Sequence, residues 1–260
     1  MNLTATKEIR TSPMAEDYAA VERRMCQLIA ESGDTNDSLS FAFSCHLESG
    51  GKRTRTDVSL SSSRALGVSQ GDATILAAAV ELLHNASLIQ DDLQDRSLFR
   101  RGKESVWNRF GEDTAIGLTD LTISASFRAL AELSDPASIP ALLLALHRAI
   151  AVTLRGQGDD LDGTTDDLSS AIFTARRKSG PLFALSLELP LITAGEESFV
   201  EIAREAAECL GVGYQICDDI ADIDQDRAGG TCGNIVLILE KGGCRQPLVE
   251  ARRLAYQFRE

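Results

Sequence analysis

The chain has 260 residues, is 43% hydrophobic and carries a formal net charge of −13, enough apolar content for a sizeable core in one large domain or two small ones. The acidic balance argues against nonspecific nucleic-acid binding, which needs basic surface to displace the counterions of the phosphate backbone. A small polyanion must then be held by local Lys and Arg, or through Mg²⁺ bridging carboxylates to phosphate oxygens.

Long stretches of helical period, little strand-like alternation and only 6 Pro predict an all-α protein, a single domain over residues 13–260. Residues 1–12 are polar and expected to be disordered. The 6 Cys are scattered, without a Cys-x-x-Cys pair, and read as reduced packing thiols. The N-terminus lacks the profile of a signal peptide, and no uninterrupted apolar run approaches the ~18–20 residues of a membrane span. A cytoplasmic protein without a transmembrane segment is expected.

In chain order, a first helix starts near Pro13 and stops before the Ser-Gly-Asp-Thr-Asn-Asp turn at 32–37. A second runs from Ser38 to Glu48 and ends at Gly50-Gly51, where the chain can turn and approach a ligand closely. Lys52-Arg53-Thr54-Arg55 follows at once. Cations at an electropositive helix start are unfavourable unless an anion is nearby, which hints at a phosphate site.

The chain is organised around the next helix, 71–96. Residues three and four apart share a face, so Leu76, Val80, His84, Ser87, Asp91 and Asp95 form one stripe in which carboxylates continue the apolar face. Carboxylates on the buried side need cations to offset their desolvation, and this points to bound metal. Ser97 to Lys103 reads as a basic loop containing Arg100-Arg101, and helical period resumes through Val106, Phe110, Ile116, Leu121 and Phe127. Asp135-Pro136 breaks the chain, a helix spans Ile139 to Gln157, and Gly156 to Thr165 reads as a Gly- and Asp-rich loop. Segment 168–194 carries Lys178-Ser179-Gly180-Pro181 within apolar surroundings. The next long helix, about 196–226, places Gly211, Gln215, Asp218, Asp222 and Asp226 on one stripe, with Asp219 beside it.

Two Asp-Asp-x-x-Asp clusters, each at the end of an apolar face, can bring hard oxygen ligands to opposite walls of one cavity, which suits Mg²⁺. Glu81-Leu-Leu-His84 has the Glu-x-x-His spacing of di-iron bundles, but that design needs a second copy; His46 and His147 have Phe43 and Leu144 three residues earlier.

Five stretches together resemble the motifs of trans-isoprenyl diphosphate synthases: Gly-Gly-Lys-Arg-Thr-Arg (50–55), His-Asn-Ala-Ser-Leu-Ile-Gln-Asp-Asp-Leu-Gln-Asp (84–95), Arg-Arg-Gly-Lys (100–103), Lys-Ser-Gly (178–180) and Tyr-Gln-Ile-Cys-Asp-Asp-Ile-Ala-Asp (214–222). The resemblance implies an all-α bundle around a deep central cavity, usually a homodimer. It implies condensation of an allylic prenyl diphosphate with isopentenyl diphosphate, driven by Mg²⁺, with Mn²⁺ as a substitute. On this pattern Asp91, Asp92, Asp95, Lys178 and Asp218 are catalytic, and the metal ligands are Asp91, Asp95, Asp218 and Asp222. Lys52, Arg55, His84 and Arg101 match positions that hold isopentenyl diphosphate, while Arg100, Lys178, Ser179 and Gln215 match positions that contact the allylic substrate. Ala86 and Ser87, one turn before Asp91, would form the next layer of the cavity; two small residues there imply geranylgeranyl diphosphate or a longer product.

The pattern departs from the family after the second cluster, where Gly230 stands at a lysine position and Ile235 at an aspartate position, and less sequence follows Asp222 than the family normally carries. A subunit completed by a partner synthase and a terpene cyclase-like enzyme remain alternatives. A cyclase would have no use for an isopentenyl diphosphate site.

Overall fold

Helix formation here starts from its caps. In the computed structural model, which describes residues 13–30, 37–161, 167–229 and 233–258, Ser69 accepts from the Asp72 N–H at 3.1 Å and opens a 25-residue helix, α4 (Gln70–Gln94). The Asp72 carboxylate in turn accepts from the backbone and hydroxyl of Ser134, both at 3.0 Å, tying the start of this helix to the turn after another. From Ala73 to Ile89 most side chains of α4 are fully buried, including Leu76, Ala77, Ala78, Ala79, Val80 and Leu82 at 0% exposure. Each large aliphatic so buried contributes about 1.5–3 kcal/mol relative to exposure. Three consecutive alanines let neighbouring helices approach on more than one side.

Those neighbours are α1 (Pro13–Ala30), α3 (Thr54–Ala65), α5 (Val106–Phe110), α6 (Glu112–Leu130) and α8 (Leu168–Thr193). Between α1 and α3 lies α2 (Ser38–Leu47), whose N-cap Asp37 accepts from Ser40 N–H at 2.7 Å. Helix α7 (Ile139–Leu161) and α9 (Val200–Ala221) flank α8 and make its most extensive contacts. After a 3-10 turn (Glu197–Phe199) and α9, the chain forms α10 (Ile223–Gly229), α11 (Ile235–Lys241) and α12 (Pro247–Gln257). The main core gathers around α4, and a second one joins Val212 and Ile216 of α9 to Ile235, Val236 and Ile238 of α11 and to Ala251 and Leu254 of α12.

The all-α expectation holds, with four corrections. The segment expected as a basic loop contains a hairpin of two short antiparallel strands, β1 (Phe99–Arg100) and β2 (Lys103–Glu104). The continuous helical period from 106 to 127 is broken at Gly111, whose φ of 92° is open to glycine. Helix α7 runs through Leu161, over part of the expected loop, because Gly156 lets it lie against α8: an added Cβ would sit 2.7 Å from the Arg177 carbonyl carbon. The last long helix stops at Ala221, so Asp226 belongs to α10 and leaves the stripe of Asp218 and Asp222.

Among the described residues, two helices have the length and mean hydropathy to cross a membrane, Gln70–Gln94 and Ile139–Gly158, with 67% and 28% of their apolar windows buried. Scattered polar residues interrupt every apolar run in the sequence, but the average over a whole window still passes. The first of these is the central core helix. The expected disorder of residues 1–12 lies outside the described residues.

Candidate active site

At the C-terminal end of α4 the carboxylates diverge around the helix. Asp91 and Asp95 lie one turn apart, and Asp95 caps the helix by donating its N–H to the Asp91 carbonyl at 2.8 Å. Asp92, rotated about 100° from Asp91, is 1% exposed and receives two hydrogen bonds from Arg100, at 2.8 and 2.7 Å. Burial pushes the Asp92 carboxyl up, against the opposing pull of Arg100. Its geometry makes it an anchor for Arg100.

Arg100 and Arg101 reach this point because the hairpin turns tightly. Arg101 and Gly102 both have positive φ, 49° and 79°, the requirement of a two-residue primed turn. The turn sends the Arg101 guanidinium back to the Gly50 carbonyl, to which it donates. Gly51 lies close beneath it: an added Cβ would meet Arg101 Nη1, the movable end of a long side chain, at 2.7 Å.

The second wall starts at α3. Lys52 places Nζ 3.3 Å from Asp218 Oδ1 and 5.2 Å from the Tyr214 ring centre, and Asp218 raises its pKa. Arg55, 8% exposed, lies 4.3 Å over the Phe183 ring and donates to His84 Nε2 at 3.3 Å. Burial, reinforced by Arg55 and Arg101, holds His84 well below its ordinary range. Because a guanidinium can only donate, Nε2 is the acceptor in this pair, and the ring proton belongs on Nδ1. That buried Nδ1 has no partner among the described residues, so it is a donor left waiting for an acceptor.

The third wall is α8 against α9. Lys178 Nζ lies 4.0 Å from Asp91 Oδ2. Ser179 donates to Gln215 Oε1 at 3.1 Å, and Gln215 donates to Asp219 Oδ1 at 2.9 Å. Asp219, pushed up to about 6 mainly by burial, spends its other oxygen on the Ile235 N–H at 2.9 Å. Asn234 bridges the Asp219 carbonyl and Asp226 Oδ2, both at 2.8 Å. Thus Asp219 ties α9, and Asp226 ties α10, to the start of α11, while Asp218 is half-buried on α9 and Asp222 is exposed at its C-terminal end. Burial and the like charges of Asp218 and Asp226 raise Asp222.

Between these walls lies a cavity of about 190 Å³. Its lining takes His84, Ser87 and Asp91 from α4, Arg100 and Arg101 from the hairpin, and Arg55 from α3. Lys178 and Ser179 come from α8, and Gln215 and Asp218 from α9. Lys52 borders an adjoining cleft shared with Arg55, His84 and Arg101. Asp92, Asp95 and Asp222 lie off the cavity lining, and so does Ala86, which is 2% exposed. A step of one residue turns a helical side chain by about 100°, so Ser87 and Ala86 cannot face one cavity equally. The volume falls below the roughly 300–1,000 Å³ of ordinary ligand clefts.

Sequence reasoning assigned no role to Tyr214, which borders both spaces, or to Gln157, which is 4% exposed with Oε1 unpartnered among the described residues. Tyr214 adjoins Gln215 in the quoted motif and could have been found there. Gln157 was hidden by reading its surroundings as a loop. Glu81 of the Glu-x-x-His spacing faces α3 and bonds Arg53 and Thr56.

Among the described residues no three His, Cys, Asp or Glu side chains converge on one point. A hard cation that keeps several waters and takes one or two carboxylates plus ligand phosphates needs no such cage. The all-oxygen donor set and the crowding of Asp218, Asp222 and Asp226 fit a divalent cation of this kind.

A family model described as polyprenyl synthetase matches residues 36–235. The chain is 33% identical over 199 residues to a geranylgeranyl pyrophosphate synthase of Geoglobus acetivorans, covering 74% of this chain and 62% of that one. It is 32% identical over 232 residues to a farnesyl diphosphate synthase of Geobacillus stearothermophilus, covering 84% and 78%. The solved structure of an isoprenoid synthase family member from Thermotoga neapolitana superposes with a TM-score of 0.76 at 26% identity, covering 94% of this chain and 90% of that one. The chain thus spans about three fifths of the Geoglobus relative's length.

Proposed function

The chain belongs to the polyprenyl synthetase family, and from that premise we propose that it is a trans-prenyl diphosphate synthase joining an allylic diphosphate to isopentenyl diphosphate. The observation that carries this reading is the meeting of Asp91 and Lys178, Asp218 and the Arg55–His84–Arg101 cluster at one cavity and its adjoining cleft. A single diphosphate site would need only one of these cation groups.

Asp91 and Asp95 on one side, with Asp218 and Asp222 on the other, would hold Mg²⁺. When bound, Mg²⁺ supplies charge neutralisation for the departing pyrophosphate. Lys178 and Arg100 aim further positive charge at that leaving group; Asp92 fixes Arg100, and the Ser179–Gln215–Asp219 chain fixes the facing wall. Breaking the allylic C–O bond leaves an allylic cation. The double bond of isopentenyl diphosphate, placed by Lys52, Arg55, Arg101 and the Nδ1–H of His84, attacks it to form a new C–C bond, and the resulting cation passes a proton to the released pyrophosphate as the longer prenyl diphosphate forms. Leu88 and Leu182 in the lining help keep water from the cation.

Ser87, small and on the cavity lining, supports a product of geranylgeranyl length or longer. The family relatives carry both farnesyl and geranylgeranyl names. Purified chain incubated with Mg²⁺, isopentenyl diphosphate and dimethylallyl, geranyl or farnesyl diphosphate should give elongated prenyl diphosphates, and Asp91→Ala should abolish them. Products formed without isopentenyl diphosphate would indicate a cyclase instead. A second reading, a subunit completed by another synthase, is favoured by one observation: Ile235, where the motif has an aspartate, is 1% exposed in the second core. Activity that appears only on mixing with a second synthase would select it.

A further inference from the structure

Arg53 borders the same cleft as Lys52 and Arg55, but its guanidinium is spent on carboxylates of α1 and α4. It stands at the N-cap of α3 with φ 52° and no side-chain capping bond, a conformation that a non-glycine residue adopts only when its surroundings enforce it. The enforcement is ionic. Arg53 donates from Nη1 to Glu81 at 3.0 Å, and from Nε and Nη2 to Glu22 at 3.1 and 2.5 Å. Glu81 is 2% exposed, and its second oxygen accepts from Thr56 at 2.9 Å. One guanidinium thus bolts the start of α3 to α1 and α4 together.

Glu81 also borders the cleft formed by Lys52, Arg55, His84 and Arg101. A bare carboxylate there would repel a diphosphate; with both oxygens taken by Arg53 and Thr56 it offsets the cation cluster from behind. We propose that Glu81 and Arg53 are positioning residues that fix Lys52 and Arg55 at the spacing needed to grip a diphosphate in this cleft. This rests on the reading of the cleft as the isopentenyl diphosphate site. Lys52 and Arg55 flank Arg53 in sequence, so freeing the bolt moves both at once, whereas Asp91, Lys178 and Gln215 stand on other elements.

The test compares Glu81→Gln, Arg53→Gln and the double variant with the parent chain. The KM for isopentenyl diphosphate should rise about tenfold to a hundredfold, the cost of misplacing binding groups by about 1 Å, with kcat and the KM for the allylic substrate little changed. The double variant buries no unpaired charge, so its melting temperature should recover relative to the single variants while its KM stays high. An unchanged KM in folded variants, or a recovery of KM together with stability, would overturn the proposal. Calorimetric titration with isopentenyl diphosphate, without Mg²⁺ or an allylic substrate, reads this cleft without turnover. Binding about tenfold weaker in the variants supports the bolt even if the parent chain makes no product; equal binding, or none to the parent chain, overturns it.

Discussion

Two histidines border the arginine cluster, and in both burial, reinforced by the arginines, lowers the pKa. His46, hydrogen-bonded to Asn85 at 3.1 Å, is lowered to about 4, first by burial and then by Arg100. Its unfolded pKa is 6.5, so the unfolded chain takes up the proton first. The stability this ring contributes is fully present above pH 6.5 and is lost as pH falls toward 4, by about 3 kcal/mol. Urea midpoints at neutral and acid pH should therefore fall less for His46→Gln than for the parent chain; an equal fall would contradict this account. At the cavity, Lys178→Ala should cost about 2.7–4 kcal/mol in the barrier, as for removal of one group that stabilises transition-state charge, read as kcat with saturating substrates. Ser87→Phe should shorten the product, measured by chromatography of the hydrolysed prenyl alcohols, whereas the same change at Ala86 should chiefly destabilise the fold. Spacing alone treated Ala86 and Ser87 as equals, since it marks a turn of helix but not which neighbour fills which side.

At the scale of elements, three glycines set how closely α7, α8 and α9 approach beside Lys178. An added Cβ on Gly211 would lie 2.8 Å from Gly180 Cα, and one on Gly180 would lie 3.1 Å from Glu208 Cγ. Gly211→Ala should push α9 off α8, separating Gln215 and Asp218 from Ser179 and Lys178. A loss of about 1–3 kcal/mol is expected from such overpacking, together with a drop in kcat/KM larger than the fall in melting temperature explains. Thermal scans and steady-state kinetics on one preparation separate the two effects. Pro181 acts in the same place: it has no N–H to give the Arg177 carbonyl, so α8 loses a backbone bond beside Lys178. The helices themselves were legible from period and breakers, and Ser38–Leu47 and the start at Ile139 agree with expectation. The break at Gly111 and the end of α9 at Ala221 were not, because amphipathic period continues across a change of direction whenever both sides face one core.

For the molecule as a whole, the carboxylate clusters sit at the ends of α4 and α9, outside the two apolar cores. Lysines already offset part of their charge: Lys178 stands beside Asp91 and Lys52 beside Asp218. Chelation by EDTA should therefore abolish condensation yet leave the helical circular dichroism unchanged, and Mg²⁺ added with pyrophosphate should raise the melting temperature by binding only the folded state. Unfolding on chelation alone would show that the metal is structural. The sequence by itself determined the helical class, the family and the chemistry on offer, because apolar period, turn residues and clusters of like charge are local properties of the chain. Only the tertiary structure decided which carboxylates face the cavity and which become anchors, as Asp92 does for Arg100 and Glu81 for Arg53. That choice depends on which distant side chain arrives to meet each one, and packing sets it where spacing cannot.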